Sequence, residues 1–86
     1  MNIVPSEIDF TTAVGNRLLL TTPLDVATSR WRDNVFEGAV VAVSPSGEFV
    51  KLNRRGVMTW HDAPNLRLVE VLGKAGKSAL EESDHG

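Results

Sequence analysis

Eighty-six residues, a formal net charge of −2 and no cysteine set the bounds on this chain. The length suits one hydrophobic core and no second one, and without thiols there is no disulfide framework, thiolate zinc site or cysteine nucleophile. The near-neutral balance argues against a surface that binds nucleic acid everywhere by neutralising phosphate.

Residues 1–15 hold scattered apolar pairs among polar residues, too irregular for a helix, and are expected to form an N-terminal arm ending at Gly15. They carry no basic stretch followed by an apolar run, and no apolar run in the chain approaches the roughly 20 residues of a membrane helix. The expectation is a soluble, cytoplasmic protein with no membrane partner. Residues 17–22, Arg-Leu-Leu-Leu-Thr-Thr, form a short apolar run closed by β-branched residues, which favours a strand ended by Pro23. Residues 23–34 show no sustained alternation and read as a long loop with room for one helical turn over 26–29; loops of this length often carry function.

Residues 35–43 and 48–53 read as two strands of a hairpin across Ser44-Pro45-Ser46-Gly47, where proline presets φ for the first turn position and glycine suits the left-handed one. Arg54-Arg55-Gly56 then turns the chain into a strand over 57–61, with Val57, Thr59 and His61 on one face and Met58 and Trp60 on the other. The bulky second face is expected to point inward, so Trp60 is read as core and Trp31 as at least partly exposed. Asp62-Ala63-Pro64-Asn65 breaks the strand before β character resumes over 66–72. Residues 74–86, rich in glycine, serine and charge, are expected to be a disordered tail. The resulting plan is an arm over 1–15, a β domain over 16–73 and a tail over 74–86. Its expected core is Leu18, Leu20, Val40, Ala42, Val50, Leu52, Met58, Leu66 and Leu68.

This order of strand, long loop, strand, tight hairpin, strand, short turn, strand, one-turn break and final strand resembles the Src-homology-3-like barrel. The segment Ala63-Pro64-Asn65-Leu66-Arg67-Leu68-Val69 is similar to that family's turn into the last strand, with Leu66 where the family has tyrosine. The resemblance implies a mainly β fold, a small five-stranded barrel. It does not extend to a proline-peptide groove, whose acidic cluster and paired tryptophans are missing, and folds of this kind host many activities. The stretch through Ser44 and Gly47 also resembles the second motif of PilZ domains, which would imply cyclic-dinucleotide binding, with Ala42 standing where the family has an acidic or amide residue.

Catalysis finds little material. Of the two histidines, His85 falls in the expected tail, and His61 and Asp62 alternate faces on a strand, so they are not a ready dyad. No enzyme activity, metal or cofactor is expected. Trp31 between Arg30 and Arg32, together with Trp60 on a strand bordering that loop, combines the residue types most enriched at binding hot spots. The leading expectation is therefore a non-enzymatic adaptor or assembly module that contacts another protein, or a second copy of itself, through the 23–34 loop. The alternative is a nucleic-acid-binding barrel in which Lys51, Arg54 and Arg55, joined by Arg30 and Arg32, form a basic edge.

Overall fold

The computed structural model describes residues 5–80. Its centre is one antiparallel sheet of five strands: β1 (Asn16–Thr21), β2 (Phe36–Val43), β3 (Phe49–Arg54), β4 (Val57–Asp62) and β5 (Arg67–Lys74). The order across the sheet is β4-β3-β2-β1-β5. Among the described residues no ladder joins β4 to β5, so the sheet stays open between its two edges. The fold is mainly β, as the alternation and turn chemistry imply.

Local chemistry explains each reversal. In the β2–β3 connection, Gly47 N–H donates to Ser44 O at 2.9 Å and Gly47 takes φ +79. Between β3 and β4, Arg55 and Gly56 both take positive φ, 55° and 88°. Arg54 and Val57 are paired across these two residues, so the hairpin is tight and matches the right-handed twist of its strands. Asn53 Oδ1 accepts from Gly56 N–H at 2.8 Å and steadies the reversal.

One face of the sheet carries the core. Leu18, Leu20, Val40, Val50 and Leu52 are fully buried, with Leu66 almost so, and Leu68 packs against them. Ala42 departs from the expected pattern. A register shift between Val40 and Ala42 makes a bulge, so that Val40 meets Leu52 while Ala42 meets Lys51 on the opposite face; one extra residue inverts the inward and outward sets.

Met58 and Trp60 are a second correction. The tight hairpin pairs Met58 with Asn53 and Trp60 with Lys51, whereas Thr59 and His61 stand opposite Leu52 and Val50. Paired residues share a face, so the bulky pair points away from the core. Trp60 is 53% exposed rather than buried.

The chain outside the sheet is also built in. Asp9 caps a single 3-10 turn, Phe10–Thr12, by accepting from Thr11 N–H at 3.0 Å. This turn delivers Phe10, only 3% exposed, and Ala13 into the core. Residues expected as a loose arm thus complete the hydrophobic cluster, because a sheet with one apolar face needs a cover. Before the turn, Ser6 makes an antiparallel bridge to Leu68, with N–H···O distances of 3.0 and 2.7 Å. At the other end, β5 runs through Lys74, beyond the expected stop at Gly73. Helix α2 (Lys77–Leu80) follows, and Ala79 O accepts from Asn53 Nδ2 at 2.8 Å. The expected tail is therefore part of the fold as far as Leu80; residues 81–86 lie outside the described residues.

Candidate functional site

The residues between β1 and β2 form two short helical pieces. Thr22 caps helix α1 (Pro23–Ala27), accepting from Asp25 N–H at 3.2 Å and donating to Asp25 Oδ2 at 2.8 Å. Pro23 takes the first helical turn, where a missing N–H costs nothing; the helical turn therefore starts before the 26–29 stretch expected for it. A 3-10 turn, Trp31–Asp33, follows. The two pieces are tied together by Arg30 N–H to Asp25 O at 2.8 Å and by Asn34 Nδ2 to Arg30 O at 3.1 Å. Thr21, a buried polar residue, anchors the far end by donating to Asn34 O at 3.4 Å.

Within this ordered loop Trp31 is half-buried, and the Arg32 guanidinium lies over its ring at 4.5 Å from the centroid. Arg30 and Arg32 are exposed. Trp31 is partly exposed, within the expectation of at least partial exposure, and its flank is occupied by its own neighbour, a cation held over the negative face of the ring. Trp60 lies elsewhere, on β4, with Lys51 Nζ at 5.9 Å from its ring centroid.

Strand β4 is the exposed edge of the sheet. Its outward face carries Met58 and Trp60, and Phe49, 44% exposed, continues this face at the start of β3. Val57, 59% exposed, lies at the start of the strand on the core side. Every second residue of an edge strand turns its N–H and C=O away from its one partner. Here those groups meet no other strand among the described residues. The edge contains no proline, no lysine and no register shift, the devices that normally discourage pairing. Thr59 Oγ1 and His61 Nε2 sit 2.7 Å apart on the inner side. Burial lowers the His61 pKa below its ordinary 6.5, Arg54 lowers it further, and Asp62 opposes both.

The third group is basic. Arg54 lies over the Phe36 ring at 4.2 Å. Gly38 makes room beside it, since a Cβ there would meet Leu52 and the Arg54 stem at 3.4–3.6 Å. Arg54, Arg55 and Arg17 border an open cleft of about 830 Å³ with Phe36 and Leu19, and Arg17 is engaged with Glu37 at 3.4 Å. Lys51 is on the Trp60 face rather than at this cleft. The antiparallel topology puts the β3–β4 turn and the start of β2 at one end of the sheet, so the 23–34 loop and the Arg54-Arg55 turn share that end.

The Ser44–Gly47 turn spends its polar groups internally. Ser44 Oγ accepts from Phe49 N–H at 3.0 Å and Ser46 Oγ from Glu48 N–H at 3.2 Å, so turn geometry alone accounts for both serines. Reasoning from sequence overlooked the edge position of β4, which depends on strand order, and the exposure of Phe49. Comparison with family models, curated proteins and solved structures finds no match to this chain.

Proposed function

We propose that the protein is a non-enzymatic protein-binding module, an adaptor or assembly subunit, that takes up a partner strand along β4 with Trp60 as its anchor. The observation that carries this reading is a half-exposed tryptophan on a strand with one free edge that has no proline, lysine or bulge and a single charge at its end. A free ladder supplies main-chain hydrogen bonds to an added strand, and the outward Met58, Trp60 and Phe49 supply side-chain contacts. The 23–34 loop, with Arg30, Trp31 and Arg32, becomes a second contact at the end of the sheet.

The test is calorimetry with a partner isolated from the native cell and then purified. Trp60→Lys should keep the fold and weaken binding about 30-fold or more, the hot-spot scale. Unchanged affinity would refute the edge as the site. Trp31→Ala in the same titration measures the loop's share.

The conformation of Arg55 favours a second reading, nucleic-acid binding. A left-handed φ of 55° in a non-glycine residue is costly, and an arginine at that position beside Arg54 is explained if it meets phosphate. Labelled DNA or RNA titrated at two salt concentrations tests it, because phosphate binding weakens steeply with salt.

A further inference from the structure

We propose that the strand that pairs with β4 is β4 of a second copy of this chain, running antiparallel about a two-fold axis at Thr59. This rests on the edge-strand reading above and specifies its partner.

The symmetry restricts the register. A two-fold axis perpendicular to a continuous sheet leaves every side chain on its own face, so each residue must meet one of the same face in the other copy. Such an axis passes through a residue, never between two. Within the six residues of β4, only axes at Thr59 or Trp60 leave five residues paired, 57–61 or 58–62.

The two registers differ chemically. With the axis at Trp60, Met58 stands twice opposite the Asp62 carboxylate of the other copy, an apolar thioether against a charge. With the axis at Thr59, Trp60 meets Met58 of the second copy twice, Val57 meets His61 twice, and Thr59 meets itself. Sulfur against an aromatic ring and threonine against threonine are favourable cross-strand pairs. Val57, 59% exposed in the single chain, gains a cover.

Charge agrees with the Thr59 register. Asp62 of one copy falls opposite Gly56 of the other, which brings each carboxylate beside the turn that carries Arg55, twice by symmetry. A net charge of −2 per chain imposes little repulsion between copies. One strand pair is a small interface, so the dimer is weak and depends on concentration.

The experiment uses the intact chain. Light scattering from about 10 μM to about 1 mM should show the mass rising from one chain towards two. Trp60→Lys should hold it at one chain throughout, with an unchanged circular dichroism spectrum. Because the protein has no cysteine, single-cysteine variants then read the register. Opposed residues in an antiparallel pair have Cα atoms about 4.5–5.5 Å apart, within disulfide range. Thr59→Cys should therefore oxidise to a covalent dimer about 10-fold faster than His61→Cys or the surface control Val14→Cys. A single-chain mass at every concentration, a dimer that survives Trp60→Lys, or faster oxidation of His61→Cys would each overturn the proposal. The broader reading fails separately: a monomer that loses a purified partner on Trp60→Lys removes only the second copy, while partner binding that survives that substitution removes the edge as well.

Discussion

Strands β4 and β5 are both edges of one sheet, yet their residues treat the open side differently. β5 pairs with β1 through two register shifts, presents Arg67, Glu70 and Lys74, and is bridged at Leu68 by Ser6 from the N-terminal segment. β4 pairs with β3 without a shift and carries a tryptophan, a methionine and a valine with a single charge, at Asp62. Bulges, charges and a covering segment protect an edge from further pairing. Under the proposed function, a chain that guards one edge and leaves the other regular associates through the unguarded one.

The largest expected effect comes from emptying the core position that the N-terminal segment fills. Phe10→Ala should cost about 3–5 kcal/mol in denaturant unfolding, since Phe10 is 3% exposed within the core cluster. Trp60→Ala should change stability by only about 1 kcal/mol or less, as expected of a half-exposed side chain. Equal losses at the two positions would erase the contrast between the covered face of the sheet and its open β4 edge.

The arm shows where sequence reasoning stops. Phe10 could be seen as apolar, but its burial depends on a sheet face assembled from strands far along the chain. The two hairpins were legible because their signals are local: Pro45 with Gly47, and a glycine after Arg55. The side of β4 that faces inward was not, because hydrophobic residues on that strand suggest an inward Trp60 while the two-residue turn imposes the opposite parity. Ala42 was misplaced by the bulge after Val40, which no local residue pattern announces. Of the candidate site, Trp31, its flanking arginines and Trp60 could be picked out by residue type. Which tryptophan lies on a free edge required the strand order.

A smaller effect sharpens the comparison at the tip of the β3–β4 hairpin. Arg55→Asn supplies the residue best suited to a left-handed position before glycine and should stabilise the fold by about 0.5–1 kcal/mol, measured by thermal unfolding. The partner affinity of the unguarded edge should fall only slightly, because Arg55 lies outside the paired residues 57–61 and contributes only its attraction to Asp62 of the second copy.

The smallest effect concerns pH. The His61 pKa is lowered in the folded chain from 6.5, so the unfolded state binds more protons just below that value and stability falls as the pH drops through it. The wild type should lose slightly more melting temperature than His61→Gln between about pH 7.5 and about pH 5. The Asp9 carboxyl, held below its ordinary 3.8 by hydrogen bonds from the Thr11 side chain and backbone, acts in the same direction only at lower pH.

The contrast between the edges is tested most directly by residue-resolved amide hydrogen exchange in dilute and concentrated samples. The account predicts that outward N–H groups of β4 exchange rapidly when dilute and slow by about 10-fold or more when concentrated, while the N–H of Leu68, bonded to Ser6, is slow in both. Concentration-independent exchange along β4, or a Leu68 amide as fast as the outward amides of β4 in the dilute sample, would contradict it.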